Sequence, residues 1–310
     1  MNKGKVLIAA PVHAVLTDGL QLAGYECTVY EHIIQATAIE LIKDCVGVIT
    51  STRLQLNKEL IDAAPKLRWI GRMGSGMEVI DMEYALQKNI ACFSSPEGNS
   101  NAVAEHALGM LLALNKRIVW SDKQIENGIW ERDNNRGTEL EGKTIGIIGF
   151  GHTGRAFAKK LAAFDMQILA YDKYNFNSIP DYVQLCNDLD PIYAQADIIS
   201  FHVPLQKDTI HYFNDKFIKN MSKAFVLINT SRGLVVNTKT LLNGLEDGKV
   251  TGACLDVAEE EPLEKMSGEM KKILHKIVSM PQTVVTPHIA GYSKEALYKM
   301  SKILLEKVLK

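Results

Sequence analysis

The stretch TIGIIGFGHTGRAFAKKLAAF, residues 144–164, joins an apolar run to a glycine-rich turn and then to a helical pattern. Within it Gly149, Gly151 and Gly154 form the spacing G-x-G-x-x-G. That spacing alone is weak evidence, because glycines also occur in ordinary turns. Between an apolar strand and a helix, however, it predicts a parallel sheet whose turn binds the pyrophosphate of a dinucleotide.

Each glycine has a physical role in this prediction. Gly149 permits the tight turn, Gly151 removes a side chain where the pyrophosphate must approach the backbone, and Gly154 lets helix and strand pack closely. The helix that follows begins near His152 and Thr153, and its free N–H groups would face the phosphate. We therefore expect all five residues at the cofactor.

The next apolar run, QILAYD, ends at Asp172, 18 residues after Gly154. A carboxylate at that position would accept hydrogen bonds from both hydroxyls of the adenosine ribose and would repel a 2′-phosphate. We expect NAD as the cofactor for this reason. Lys173 follows directly and leaves NADP open, since it could partly accommodate a phosphate.

Composition excludes several other classes of protein. The length of 310 residues suits two domains. The 35 basic and 36 acidic residues give a net charge of -1, so neither nucleic acid nor a membrane surface is an expected partner. Five widely spaced cysteines without a C-x-x-C pair argue against disulfides and zinc, and we expect no metal and a cytoplasmic location.

The N-terminal segment MNKGKVLIAAP superficially has the lysines and apolar run of a signal peptide. Pro11 and His13 interrupt that run, and we interpret KVLIAAP as a buried first strand. The apolar segment ALGMLLAL, residues 107–114, is far shorter than the roughly 20 residues that cross a bilayer. We therefore expect no membrane span.

Short aliphatic runs recur along the chain, separated by amphipathic stretches: VLIAA, TVY, GVIT, LRWIG, IACFS, TIGIIGF, QILAYD, IISFHV, AFVLINT, GACLDV and TVVTPH. This alternation predicts an α/β protein with parallel sheets covered on both faces. Eleven strands exceed one such sheet of ordinary size. We expect two sheets, with five strands before residues 95–105 and six after, and a long helix starting near Ala102 behind polar capping residues.

Three strand ends carry chemically useful side chains. LINTSRG ends at Arg232, TVVTPHIAG contains His288, and the acidic run DVAEEEP, residues 256–262, follows GACL. Ligands of open parallel sheets bind at the carboxyl ends of strands, so these groups can share one site. The arginine would bind a carboxylate and polarise the adjoining carbonyl, the histidine would transfer a proton, and an acid would hold the histidine's tautomer and favour its protonated form.

The chain resembles the D-isomer-specific 2-hydroxyacid dehydrogenases over nearly its whole length. The motifs that carry the resemblance occur in the family's order: RMGSG at 72–76, NSNAVAEHALGMLLAL from 99, GIIGFGHTG at 146–154, HVPL at 202–205, NTSRGLVV at 229–236, LDVAEEEPL at 255–263 and PHIAG at 287–291. The family pattern implies two doubly wound parallel-sheet domains. Residues 1–98 plus 290–310 would form a flavodoxin-like substrate domain, and residues 99–289 a Rossmann cofactor domain that binds NAD.

The resemblance also assigns roles to residues. It implies a catalytic set of Arg232, Glu261 and His288, and it leaves Glu259 and Glu260 as solvated charges. It further places His202, Thr230 and Asp256 at the cofactor, and Ser75, Gly76 and Asn99 at the substrate. The implied reaction is hydride transfer between the nicotinamide and C2 of a 2-hydroxy acid, in a homodimer formed through the cofactor domains around residues 120–130.

The sequence leaves two readings of the acid substrate open. Members that act on 3-phosphoglycerate carry Arg-Ser-x-Thr where this chain has STRL, so Ser51 replaces the arginine and Arg53 appears two residues later, on the same side of an extended strand. Arg72 precedes the carboxylate-binding loop. Arg132 or Arg136 is a further candidate for binding the substrate. The alternative is that both arginines only neutralise nearby acidic side chains.

A phosphoglycerate dehydrogenase-like enzyme is the first expectation from these features, and a glyoxylate or hydroxypyruvate reductase is the alternative. Because the sequence stops at Lys310, the regulatory extension of longer phosphoglycerate dehydrogenases is not expected. An alternative of another class is an NAD(H)-sensing corepressor-like binding protein. Such proteins share the fold and the catalytic residues, so only a turnover assay separates them from enzymes.

Overall fold

The computed structural model describes residues 3–174 and 178–310 and contains two compact units. The first unit comprises Met1–Asn101 and Gly291–Lys310, and the second comprises Ala102–Ala290. Among the described residues, no helix combines the length and apolar character needed to cross a bilayer.

The first unit is built on a sheet of five strands. In chain order its elements are β1 (Gly4–Ala9), α1 (Ala14–Leu22), β2 (Tyr25–Val29), α2 (Gln35–Leu41), β3 (Cys45–Thr50), α3 (Lys58–Asp62), β4 (Trp69–Arg72), α4 (Met82–Gln87), β5 (Ala91–Ser94) and the start of α5 (Pro96–Asn115). All pairings are parallel and the strand order is β2-β1-β3-β4-β5, as in flavodoxin-like sheets.

The second unit is built on a sheet of seven strands. After α5 its elements are α6 (Ile118–Glu126), β6 (Thr144–Ile148), α7 (His152–Leu161), β7 (Gln167–Tyr171), β8 (Gln184–Cys186), α8 (Asp190–Gln195), β9 (Ile198–Phe201), α9 (Asp215–Asn220), β10 (Phe225–Asn229), α10 (Thr238–Glu246), β11 (Val250–Leu255), α11 (Gly268–Ser279) and β12 (Thr283–Val285). The last helix of the chain, α12 (Lys294–Leu309), belongs to the first unit.

The order of the seven strands is β12-β11-β10-β9-β6-β7-β8, with every pairing parallel. The chain starts in the middle at β6, winds outward to β8, and then returns beside β6 at β9 to wind the other way. This reversal creates the switch point at which doubly wound sheets bind ligands. The predicted fold class, with two doubly wound parallel sheets, is confirmed.

The sheet of the second unit is buried on both faces. Ile147 lies in a core cluster with Phe157 and Leu161, whereas the next residue, Ile148, lies in another cluster with Phe201. All five of these residues are at most 1% exposed. Burial on both sides explains why the strands appear in the sequence as continuous apolar runs rather than as alternating patterns.

Two details differ from the sequence-based expectation. Helix α5 begins at Pro96, about six residues earlier than expected, because proline suits the first turn of a helix and residues 97–100 continue that turn instead of preceding it. The second sheet also has seven strands rather than six. The additional strand, β8, has only 3 residues at the sheet edge, too few to give a recognisable sequence pattern.

Candidate active site

The glycine-rich turn joins β6 to α7 and has the backbone that only glycine adopts easily. Gly149 has φ 93°, and a Cβ there would lie 2.4 Å from the carbonyl oxygen of His202. A Cβ on Gly154 would lie 2.1 Å from the carbonyl oxygen of Gly149. Both positions therefore need glycine to close the turn and to pack the helix on the strand.

Gly151 differs from the other two glycines of the turn. It immediately precedes α7, and a Cβ built on it meets no heavy atom within 4 Å in the described part of the chain. The backbone N–H groups of the first helical residues, His152 and Thr153, border this open space. An accessible helix N-terminus with no side chain in front of it fits a pyrophosphate group.

Asp172 lies at the end of β7, beside this turn. Its carboxylate accepts hydrogen bonds from the backbone N–H groups of Phe150, at 2.7 Å, and Tyr174, at 2.9 Å. Lys173 points elsewhere, since its ammonium group lies 3.0 Å from Asp208 and 2.7 Å from the side chain of Gln206. The acid and the glycines are thus together, while Lys173 is already paired with another acid.

Thr230 and His202 occupy different surroundings near the sheet's switch point. The Thr230 hydroxyl is buried and has no hydrogen-bond partner among the described residues, an arrangement that fits a site completed by a ligand. The His202 ring packs on Phe157, and its Nε2 lies 2.8 Å from Oγ of Ser200. Burial lowers the pKa of His202 to about 3, so the ring is neutral and supports the turn from the core side.

The predicted catalytic side chains follow three adjacent strands. Arg232 follows β10, Glu261 follows β11 and His288 follows β12, and these strands are neighbours in the sheet. Nδ1 of His288 lies 2.8 Å from a carboxylate oxygen of Glu261. Because a carboxylate only accepts, Nδ1 carries the proton and Nε2 is the nitrogen left for chemistry.

Several interactions act on the Glu261 carboxyl group. Burial alone would raise its pKa, but the hydrogen bonds from His288 and from the N–H of Ala258, together with the charges of His288 and Arg232, lower the pKa below its ordinary value. The Ala258 bond is 2.8 Å long. Glu261 is therefore an anion at neutral pH, and its pairing with His288 is lost only as the pH falls through that lowered pKa.

The turn that carries Arg232 is fixed by its neighbours. The buried side chain of Asn229 accepts from the backbone and hydroxyl of Ser231 and donates to the carbonyl of Arg232. A Cβ on Gly233 would lie 1.6 Å from the carbonyl oxygen of Ala258. The loops of Arg232 and Glu261 thus touch backbone to backbone, which glycine alone permits.

The carboxylate of Asp256 fixes the loop that carries His288. It is 1% exposed and accepts from the N–H groups of Ile289, at 2.9 Å, and Ala290, at 2.8 Å. The Asp256 carbonyl also accepts from the N–H of His288, at 2.7 Å. His288 itself has φ 57°, a left-handed conformation that costs about 1–3 kcal/mol for a residue other than glycine and persists only where the surroundings enforce it.

Asp256 was expected to border the nicotinamide, and this stays a prediction; its carboxylate is hydrogen-bonded within the chain. Both of its oxygens are taken up by Thr286 and by the backbone directly after His288. The residue thus supports the site through this loop.

Two residues near Asp256 were not foreseen from the sequence. Thr286 donates its hydroxyl proton to Asp256 at 2.6 Å, and Nε2 of His106 lies 2.9 Å from the same hydroxyl oxygen. Thr286 stands two residues before His288, so its place in the sequence could have indicated a role near the catalytic histidine. His106 lies within an apolar helix 180 residues away, and its spacing alone does not connect it to this site.

The acidic run also contains a structural carboxylate. Glu259 was expected to be solvated, but its side chain is only 14% exposed and bonds Nε2 of His211, at 2.7 Å, and the N–H of Thr238, at 2.8 Å. The expectation was wrong because Glu259 turns inward to cap α10. Glu260 accepts from the N–H and hydroxyl of Ser267, the N-cap residue of α11.

In the first unit, three of the predicted substrate-binding residues lie at the end of β4 and in the loop after it. The side chain of Ser75 is exposed, whereas Gly76 is buried. The Arg72 guanidinium is 8% exposed and donates to the carbonyl of Met73, in the space that a Cβ on Gly74 would need. Arg72 therefore shapes the loop from inside.

The remaining predicted residues of the first unit lie on separate elements. Arg53 is exposed in the loop after β3, and its guanidinium lies 2.6 Å from Nδ1 of His32, which follows β2. Asn99, in the first turns of α5, lies beside Gly291, where a Cβ would be 3.0 Å from its amide nitrogen. In the second unit, Arg136 and Asp133 form an exposed ion pair at 3.7 Å, so one of the two alternative arginines is engaged with an acid.

Comparison with protein families gives one match for the second unit. Residues 108–290 match the model described as D-isomer specific 2-hydroxyacid dehydrogenase, NAD binding domain. This range contains the glycine turn, Asp172 and the three side chains Arg232, Glu261 and His288. The arrangement found from the structure and the family match thus fall on the same unit.

Curated relatives and a solved structure cover almost the whole chain. The glyoxylate reductase of Thermofilum pendens is 37% identical over 269 residues, 84% of this chain and 77% of that protein. The D-3-phosphoglycerate dehydrogenase of Archaeoglobus fulgidus is 32% identical over 98% of this chain, which spans 56% of that relative's length. The D-lactate dehydrogenase of Aquifex aeolicus, solved with NAD and lactic acid, has a TM-score of 0.84 and 26% identity, covering 98% of this chain and 94% of that one.

Proposed function

The chain belongs to the D-isomer specific 2-hydroxyacid dehydrogenases, which are NAD-dependent enzymes, and from this membership we propose which residues carry the reaction and which acid reacts. The observation that carries the proposal is the 2.8 Å hydrogen bond between His288 and Glu261, beside Arg232 at the carboxyl end of the sheet. An acid–base pair next to a guanidinium suits a substrate that has both a carboxylate and a reducible carbonyl.

In the reducing direction, Arg232 binds the substrate carboxylate and polarises the adjoining carbonyl. His288 donates the proton on Nε2 to the carbonyl oxygen, and the Glu261 carboxylate at Nδ1 stabilises the charged ring before the transfer. When bound, the cofactor would supply the hydride to C2 of the acid as NADH in reduction, and would accept it as NAD in oxidation. In oxidation His288 takes the proton from the hydroxyl group, so the same ring serves both directions.

The glycine turn, Asp172 and Thr230 would hold the cofactor. Open space at Gly151, an acid at the end of β7 and an unpartnered buried hydroxyl at Thr230 each fit part of a dinucleotide. The pairing of Lys173 with Asp208 supports NAD over NADP, because that ammonium group already has a partner. In the first unit, the N–H groups of Ser75 and Gly76 would bind the substrate carboxylate, and Asn99 would contact the acid.

The proposed substrate is 3-phosphoglycerate or its 2-oxo product, with glyoxylate or hydroxypyruvate as the alternative. The exposed guanidinium of Arg53 beside His32 supports an acid that carries a second anionic group. The two relatives named above act on different acids by name, so similarity alone does not choose between them.

A panel of acids tests the activity. We expect NADH oxidation with at least one of glyoxylate, hydroxypyruvate and 3-phosphohydroxypyruvate, or NAD reduction with 3-phosphoglycerate. His288→Ala should lower kcat roughly 10²- to 10⁴-fold, because the proton donor is lost. His275→Ala, which changes an exposed residue of α11, is the control and should keep full activity.

Near-normal turnover by His288→Ala would exclude the proposed role of this histidine. If every acid fails while NADH binds tightly, the protein is a binding module rather than an enzyme, and the corepressor-like alternative is favoured.

Glu261→Gln tests which acid of the DVAEEEP run assists His288. Reduction requires the protonated ring, which the Glu261 carboxylate stabilises, so its loss should move the alkaline limb of kcat/KM for reduction to lower pH. The matched variant Glu260→Gln removes the same charge from a residue that bonds Ser267, the N-cap residue of α11, and its profile should be unchanged. Equal displacement of both profiles would show that net charge, rather than the contact with His288, is responsible.

The protein is also proposed to form a homodimer through its second unit. Helix α6 and the residues after it expose large apolar side chains, with exposed fractions of 56% for Ile118, 53% for Ile125, 50% for Ile129 and 82% for Trp130. Contiguous exposed apolar side chains are typical of protein interfaces. Sedimentation velocity should give about twice the chain mass of 34.4 kDa, and a monomer at micromolar concentration would contradict the proposal.

A further inference from the structure

Four hydrogen bonds to a single residue, Asp256, hold the loop of residues 286–290. The backbone N–H groups on both sides of the loop's turn, at His288, Ile289 and Ala290, all bond to Asp256. The Thr286 hydroxyl adds a fourth bond to the same residue, at 2.6 Å. The orientation of the Asp256 carboxylate therefore determines where the left-handed backbone of His288 is placed.

Hydrogen-bond accounting gives a direction to the contacts of Thr286. A hydroxyl has one proton, and the buried carboxylate of Asp256 can only accept, so that proton goes to Asp256. The bond of 2.9 Å between Thr286 Oγ1 and His106 Nε2 must then have the histidine as its donor. His106 thus carries its proton on Nε2 and donates to Thr286, which donates to Asp256.

We propose that His106 and Thr286 are positioning residues, which orient the Asp256 carboxylate and thereby hold His288 in its reactive place. The inference rests on the proposed role of His288 in proton transfer. Nε2 of His106 also lies 3.5 Å from an oxygen of Asp256, so His106 contacts both Thr286 and Asp256. His106 lies in α5 rather than in a loop after a strand. The position of the loop that carries His288 therefore depends also on a contact with this helix.

A role limited to general stability would give different consequences. Removing the Thr286 hydroxyl takes one donor from an oxygen of Asp256 and the nearer acceptor from the Nε2–H of His106, while the apolar packing of the threonine can be kept. A displacement of the His288 loop affects proton transfer and leaves the glycine turn untouched. The expected change is therefore in kcat, with NADH affinity retained.

Matched pairs of variants test the proposal. Thr286→Val removes the hydroxyl and keeps the shape, whereas Thr286→Ser keeps the hydroxyl. His106→Leu removes the donor, whereas His106→Gln offers an amide N–H at similar reach. We expect kcat to fall roughly 10- to 100-fold in Thr286→Val and in His106→Leu, because small misplacements of catalytic groups are costly, and to stay within about threefold of the parent in the two conservative variants.

Further measurements separate positioning from loss of structure. NADH affinity, measured by fluorescence titration, should be unchanged in all four variants. The double variant His106→Leu/Thr286→Val should be no slower than Thr286→Val alone, because both changes interrupt one chain of hydrogen bonds. Thr251→Val and His275→Leu, at exposed positions of β11 and α11, are the controls and should behave as the parent does.

The imidazole signals of His288 in NMR spectra, assigned by their loss in His288→Gln, provide a test that does not depend on turnover. They should move in Thr286→Val and stay in place in Thr286→Ser. The proposal is overturned if Thr286→Val leaves kcat and these signals unchanged, if valine and serine are equally harmful, or if the two single effects multiply. If the parent turns over no acid yet the His288 signals still respond, the proposed function fails and the positioning role stands.

Discussion

The site depends on one buried carboxylate, that of Asp256 at the end of β11. A buried charge is stable only when it is hydrogen-bonded, and here the donors are the backbone of the loop that carries His288 and the hydroxyl of Thr286. The backbone N–H groups of this loop stabilise the buried charge of Asp256. The same hydrogen bonds hold His288 in its strained, left-handed conformation. In the loop held in this way, Nδ1 of His288 lies 2.8 Å from the carboxylate of Glu261.

The parallel sheet brings the remaining groups together. Because β10, β11 and β12 are neighbours, their carboxyl ends place Arg232, Glu261 and His288 at one edge although they are far apart in sequence. Close backbone contact between Gly233 and Ala258 then fixes the spacing of the first two loops. The glycine turn follows β6 and so lies at the carboxyl ends of the strands of the same parallel sheet. The strand order reverses between β6 and β9, and doubly wound sheets bind dinucleotides at such a point.

Local sequence was sufficient for features set by local physics. Glycines between strand and helix, the acid after β7 and continuous apolar strands could be read directly, since each depends on a few consecutive residues. The early start of α5 at Pro96 also had a local signal, since proline suits the first turn of a helix. The strand β8 is too short to give a pattern, and the inward turn of Glu259 depends on contacts with His211 and Thr238 that are distant in sequence. The contact between His106 and Thr286 joins residues 180 positions apart, and only the folded chain brings them together.

In the proposed reaction, hydride passes between the nicotinamide and C2 of a D-2-hydroxy acid while His288 moves the proton. The most direct measurement is reduction of an accepted 2-oxo acid with NADH deuterated at C4, followed by mass spectrometry and chiral chromatography of the product. When the transferred position is labelled, we expect one deuterium at C2 and, for any acid other than glyoxylate, a product of D configuration. A product of L configuration, or one that carries no deuterium at C2 with either labelled face of NADH, would contradict it.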